Sequence, residues 1–356
     1  MNNDLSSYFE DPEFKEALEK YEGMVKNHTP AYFDADELTD IAEYYASKGR
    51  QIEAEAAIDF ALQLHPNDTD ALIFRARSLA MKGRLDEAYM VMDLIEDRSD
   101  REVRFLKADL LMEEKRMEEA DHVFEELAAY EEGKLETLID IILAYIDANQ
   151  EALAKKWIKH VGETYDLASL SQKNQKFRDL LCDFYITFNN PEAAIPLLQA
   201  TLDCYPYSIN HWNSLGKCYL STNDYEEAHE AIDFALAIDD SNAEALTLKA
   251  FCYQQSGELQ KSCDYYLRLA EQQENKTRAY LALAKTYFEM QDYTSSIYYI
   301  EALLDNKDAL SKYELSELYG DIALCHAALK HIGVGQASIR RSLELNENDP
   351  DTLIVA

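Results

Sequence analysis

The sequence predicts an all-α protein built as an α-solenoid, and three observations lead there. Glycine and proline are scarce, 10 and 7 of 356 residues, too few for the many turns of an all-β chain. Apolar residues recur at helical spacing: in HWNSLGKCYLSTNDYEEA, residues 211–228, Trp212, Leu215, Gly216 and Tyr219 share one helix stripe. Tyr225, Ala228, Ile232 and Ala235 form the stripe of a second helix after a break at 221–224. That pair then repeats. Two short helices with one apolar stripe each cannot bury both stripes alone, so stacked neighbours must complete the core.

The second helix of each pair carries the register. A small residue followed four positions later by a large one recurs as Ala54/Ile58, Ala88/Met92, Ala120/Phe124, Ala154/Ile158 and Ala194/Leu198. It continues as Ala228/Ile232, Ser262/Tyr266, Ser296/Ile300 and Gly335/Ile339. Repeats therefore start at 35, 69, 101, 135, 175, 209, 243, 277 and 316, at intervals of 34, 32, 34, 40, 34, 34, 34 and 39. In the first helices, small residues (Ala42, Ala76, Ala108, Gly216, Ala250, Ala284, Ala323) permit close approach. Three positions on, Tyr45, Leu79, Leu111, Tyr219, Tyr253 and Tyr287 fill the gap.

Taken in order, residues 1–34 form an N-terminal segment in which PEFKEALEKYEGMVKN (12–27) reads as a lone helix. Ala17, Tyr21 and Met24 give it the spacing of a second helix, suited to covering the open end of the stack. Residues 35–168 hold repeats one to four, and 175–349 hold five to nine. Between them SLSQKN (169–174) is an insertion, and LSKYE (311–315) is another. Both are expected to lengthen helices or loops without breaking the stack; lack of helix contact across 169–174 would instead make two domains. Pro196 stands well inside an expected helix, where it removes a hydrogen bond, so a kink or a late helix start is expected. The tail at 350–356, within PDTLIVA, is apolar and is expected to dock on repeat nine or on a partner.

Repeat six meets the pattern W-x2-L-G-x2-Y…A-x3-F…P with Trp212, Leu215, Gly216, Tyr219 and Ala228; Ile232 replaces Phe and Asp240 replaces Pro. Repeat one keeps Ala42, Tyr45, Gly49, Ala54 and Pro66; repeat seven keeps Ala250, Tyr253 and Gly257; repeat eight keeps Ala284, Tyr287 and Tyr293. On these residues the chain resembles the tetratricopeptide repeat family over roughly 35–349, and a bacterial source is expected. The resemblance implies a right-handed superhelix of about nine helix-turn-helix repeats. It also implies a concave groove, lined by first helices, that binds peptides or protein segments.

Charge narrows the partners. Asp and Glu number 68 against 34 Lys and Arg, a net charge of −34, which disfavours nucleic acid and anionic membranes. Residues 1–150 carry 37 acids and 16 bases; the rest carry 31 and 18, so the first part is about twice as acidic per residue. No stretch of 18 apolar residues occurs, and the first twenty residues lack basic and apolar signal regions, so a cytoplasmic protein is expected. Cys182, Cys204, Cys218, Cys252, Cys263 and Cys325 form no CxxC pair and read as small hydrophobes of a reducing compartment.

No phosphate loop, GxGxxG, GxSxG, HExxH or EF-hand loop occurs. His160 and Glu163 lie three apart without a third ligand nearby in sequence, so neither metal nor cofactor is expected, and no enzymatic activity. The expected function is a scaffold or adaptor that binds a protein or peptide; the alternative is a peptide-sensing regulator. Regulators of that kind usually carry an N-terminal helix-turn-helix, for which residues 1–34 are too short and too acidic. The sequence leaves the oligomeric state open.

The resemblance places the groove at the second, fifth, ninth and twelfth positions of each repeat. A clamp for acidic chaperone tails would need Lys at five and Asn at nine. Thr39/Glu43, Ile73/Arg77 and Asn213/Lys217 do not match it, nor does the asparagine ladder of sugar-transferase relatives occur. LETLIDIILAYIDAN in repeat four is apolar nearly all round. Ile139, Leu143 and Ile146 fall at groove positions there, with Ile73, Phe105 and Met112 in repeats two and three. Either this stripe is a partly wet partner site, or the chain itself covers it. Lys217, Arg278 and Lys285 at groove positions in repeats six and eight suit a partner with an acidic segment.

Overall fold

The structure, a computed structural model, describes residues 9, 11–27, 31–305 and 311–346. All regular structure among them is helical, and the chain divides into two units, Met1–Thr164 and Tyr165–Ala356.

The first unit opens with α1 (Pro12–Asn27), which lays Phe14, Ala17 and Tyr21 against Leu38, Ile41, Ala42 and Tyr45 of α2 (Ala35–Ser47). The lone helix thus covers the exposed flank of repeat one, as its spacing suggests. The pairs follow: α2 with α3 (Gln51–Leu64), α4 (Thr69–Met81) with α5 (Leu85–Met92), and α6 (Arg101–Glu113) with α7 (Met117–Tyr130). Then comes α8 (Leu135–Asp147) with α9 (Glu151–Thr164). The 32-residue interval after repeat two appears as a short α5 of 8 residues, and Ile95, buried beyond its end, fills the missing turn.

The second unit begins with α10 (Leu167–Lys173), which is the insertion folded as an extra helix. The pairs are α11 (Gln175–Thr187) with α12 (Pro191–Cys204), α13 (Ile209–Thr222) with α14 (Tyr225–Ile238), and α15 (Ala243–Gln255) with α16 (Leu259–Ala270). A 3-10 turn at Gln273–Asn275 precedes α17 (Lys276–Glu289) and α18 (Tyr293–Leu304); α19 (Lys312–Ala328) and α20 (Ile332–Leu345) close the described chain. The second insertion lengthens α19 to 17 residues, with Ser311 and Glu314 forming a capping box at its start. The expected late start at Pro196 is not observed. Helix α12 begins at Pro191, whose fixed φ suits the first position, and runs through Pro196. The tail at 350–356 lies outside the described residues.

One backbone feature fixes the nine-repeat register. The fifteenth residue of every repeat is left-handed: Gly49, Gly83, Lys115, Asn149, Asn189, Asn223, Gly257, Gln291 and Lys330, with φ between 54° and 79°. In each, the next N–H reaches back to the carbonyl of residue eleven, from Asn190→Tyr185 at 2.7 Å to Arg84→Leu79 at 3.0 Å. This is the Schellman closure of a helix end. Residue eleven is also the large residue of the packing pattern, so the turn and the core share an anchor.

Close approach explains the small residues. A Cβ added to Gly216 would lie 2.7 Å from Ile232 Cγ1, below any real carbon contact. Gly216 is the only residue that fits there beneath Ile232 at this helix spacing.

Candidate functional site

Register positions two, five, nine and twelve lie on the first helices, and the structure treats them differently in the two units. In the first unit, Ile73, Phe105, Met112, Ile139 and Ile146 are all buried, and Leu143 alone is half-buried. Phe105, 7% exposed, sets its ring 5.3 Å from that of Phe124 on α7 while the Arg101 guanidinium covers it from 5.2 Å. Ile73 shares a core with Leu72, Ala76, Leu106 and Leu110. Of the two expectations for this stripe, the structure favours cover by the chain itself, with Leu143 left partly exposed, since a helix apolar nearly all round packs most of its sides.

In the second unit the same register reaches solvent. Phe251 on α15 is 42% exposed, and Leu281 and Phe288 on α17 are each 37% exposed. They stand at positions nine, five and twelve of repeats seven and eight. Arg278 and Lys285 on α17 are exposed and have no ion-pair partner among the described residues. Lys217 on α13 is spoken for, pairing with Glu244 on α15. Gln254 donates to Glu289 Oε1 at 2.8 Å and ties α15 to α17 along this side. The structure thus brings Arg278 and Lys285 onto one apolar-and-basic face with three exposed hydrophobes that sequence reasoning missed. The signal was available, since all three occupy groove positions.

A cleft of about 490 Å³ opens beside α12, α13 and α14, floored by Trp212, Leu215 and Phe234. Trp212 stacks on Phe234 at 4.5 Å, and its Nε1 donates to the Pro206 carbonyl at 2.8 Å. These contacts satisfy the indole in place, which agrees with Trp212 as a packing residue.

Burial pushes the thiol of Cys182 up to about 12 and those of Cys218 and Cys263 up to about 11, away from the reactive thiolate. His160 Nδ1 sits 3.1 Å from Glu163 Oε2 on an exposed helix face. Among the described residues no three His, Cys, Asp or Glu side chains gather as a metal would require, and no helix is long and apolar enough to cross a membrane.

The profile described as Tetratricopeptide repeat matches residues 39–89 and 213–277, which are repeats one to two and six to seven of the folded stack. The chain is a tetratricopeptide repeat protein. Proteins of this family generally mediate protein–protein interactions, and their scaffold is typically non-catalytic. This tetratricopeptide repeat chain is 26% identical over 191 residues to the formate-dependent nitrite reductase complex subunit NrfG of Escherichia coli O157:H7, covering 52% of the chain and 89% of NrfG. Its fold is similar to the C-terminal part of a TPR repeat-containing protein from Cytophaga hutchinsonii (TM-score 0.53, 17% identity, 70% of this chain and 98% of that one). It is also similar to a tetratricopeptide repeat protein from Parabacteroides merdae (TM-score 0.45, 16% identity, 71% and 98%).

Proposed function

We propose that this protein is a non-catalytic adaptor whose second unit holds a partner segment carrying apolar and acidic side chains along α15 and α17. One observation carries the reading: Phe251, Leu281 and Phe288 are exposed in the register that also holds Arg278 and Lys285, two cations without an ion-pair partner. Fully burying such a side chain contributes about 1.5–3 kcal/mol, and these three still have 37–42% of their surface exposed, so covering the rest would contribute roughly 0.5–1 kcal/mol each. The cations would add orientation and speed of encounter rather than raw affinity. The family's general role in protein–protein interaction supports the same reading.

The test is binding of a labelled peptide with alternating leucine and glutamate, read by fluorescence anisotropy at low and physiological salt. Arg278→Glu with Lys285→Glu is expected to weaken it about tenfold or more at low salt, and Phe288→Ala to weaken it at either salt. Unchanged affinity of the double variant at low salt would overturn the assignment.

A further inference from the structure

The cleft beside α12, α13 and α14 brings aromatic rings and carboxylates together without a cation. Its walls include Trp212 and Tyr219 from α13, Phe234, Glu227 and Glu230 from α14, and Asp203 from α12. None of these stands at a groove position: Trp212 and Tyr219 are fourth and eleventh in their repeat, and the others lie on second helices. No Lys, Arg or His is among the described lining residues, and Asp203, Glu227 and Glu230 have no ion-pair partner among the described residues.

Elsewhere this chain covers its aromatic faces with its own cations. Lys156 stands 5.6 Å from the ring of Trp157, the other tryptophan; Arg104 stands 4.6 Å from that of the exposed Tyr130, and Arg268 5.4 Å from that of Tyr265. Among the described residues no Lys or Arg stands over Trp212 or Phe234, although Phe234 is 55% exposed. The face of an aromatic ring is the negative side of its quadrupole, so rings and carboxylates attract the same kind of guest. Carboxylates alone would suit any cation, and rings alone any apolar group. Together they suit a cation carried on an apolar body.

The floor is set before anything binds. Trp212 donates to the Pro206 carbonyl at 2.8 Å and stacks on Phe234, while Gln199 Nε2 on α12 donates to the Tyr219 hydroxyl at 2.9 Å. Rings held in this way lose little further freedom on binding. With its N–H already engaged, the indole offers a guest its face. The volume of about 490 Å³ falls within the range of small-molecule sites, roughly 300–1,000 Å³.

We propose that this cleft binds a small organic cation, an ammonium ion on an apolar body, with the charged head among Asp203, Glu227 and Glu230 and the body against Phe234 and Trp212. The site is independent of the adaptor reading, since it uses no residue of α15 or α17.

The test must separate the cleft from the general negative field of the chain. The probe is benzyltrimethylammonium, titrated into the full-length protein at physiological salt and read by isothermal calorimetry. Glu227→Gln with Glu230→Gln is expected to weaken binding about fivefold. Glu192→Gln with Glu271→Gln removes the same charge from exposed positions outside the cleft, and is expected to stay within about twofold. Phe234→Leu keeps an apolar side chain but removes the ring, and is expected to weaken binding about fivefold, whereas Phe234→Tyr keeps the ring and is expected to bind as the wild type does. All of these side chains are exposed, so the melting midpoint is expected to stay at its wild-type value. Benzyl alcohol, which has the body without the charge, is expected not to displace the probe at equal concentration. A wild type that does not bind the probe, equal losses in the two charge variants, full affinity in Phe234→Leu or displacement by benzyl alcohol would each overturn the proposal. Tighter binding of a peptide bearing trimethyl-lysine would do so too, by making the occupant a partner protein's side chain.

Discussion

Asp109, on α6, holds a carboxyl pushed from its ordinary 3.8 up to about 6: partial burial raises it, Arg77 opposes, and Glu102 and Asp147 add to the rise. The folded chain therefore keeps this proton to higher pH than the unfolded chain does. Stability falls as pH rises between about 4 and 6, and the penalty is fully present above that window. An Asp109→Asn variant has no such proton, so the wild-type melting midpoint relative to the variant is expected to drop across the window and then level. A pH-independent difference there would show that the carboxyl is not perturbed. Phe105 shows what single positions do not reveal. Its place in the repeat was readable, but whether a fifth-position ring faces water depends on how tightly Phe124 and Arg101 close over it. The Phe124 contact spans helices and leaves no local pattern, whereas Arg101 lies one turn before Phe105 on α6 itself. Arg178 was equally hidden. Buried and 4% exposed, it donates to the Ser171 and Gln172 carbonyls at 3.1 and 3.2 Å and to Thr201 Oγ1 at 2.7 Å, which pins α10 in place.

At the scale of the element, the helix pairs were legible because Ala and its large partner recur at the spacing that closes one helix on the next. What the pattern did not reveal was the insertion folding as α10 or the shortening of α5. Both depend on how neighbouring residues compensate, through Arg178 and Ile95, rather than on periodicity. The left-handed fifteenth residue was half legible. Gly and Asn mark it in six repeats, whereas Lys115, Gln291 and Lys330 adopt it with no sequence sign. For a side chain of that kind the left-handed region costs about 1–2 kcal/mol, and glycine gives back roughly 0.5–1 kcal/mol of this through its freer unfolded chain. Lys115→Gly, Gln291→Gly and Lys330→Gly are all exposed substitutions, and each is expected to raise stability by about 0.5–1 kcal/mol in urea unfolding. Destabilisation by all three would mean that the turn draws support from these side chains.

At the scale of the whole chain, the uneven charge was legible by counting, but its meaning was not. The sequence left the apolar stripe of repeats two to four as either a partner site or a face covered by the chain; the structure buries all of it but Leu143, sets a line of carboxylates beside it, and exposes hydrophobes in repeats seven and eight. Within each unit, helices pack mainly on their neighbours in sequence, so damage is expected to stay local. Gly216→Ala forces a Cβ against Ile232, an overpacking cost of about 1–3 kcal/mol that outweighs a helix-propensity gain of about 1 kcal/mol. Hydrogen exchange is expected to quicken in α13 and α14 while α3 and α4 keep wild-type protection. Uniform acceleration throughout would show cooperativity that nearest-neighbour packing does not supply. The constancy of the fifteenth residue carries one further consequence. The turn inside each repeat has the same length nine times over, while every interval longer than 34 residues adds its extra residues between repeats. The chain thus separates rigid joints from tolerant seams. Foreign loops spliced at the seams, near 166 or 275, would be carried as passengers, whereas the same graft beside Asn223 would pull apart the pair it was meant to decorate.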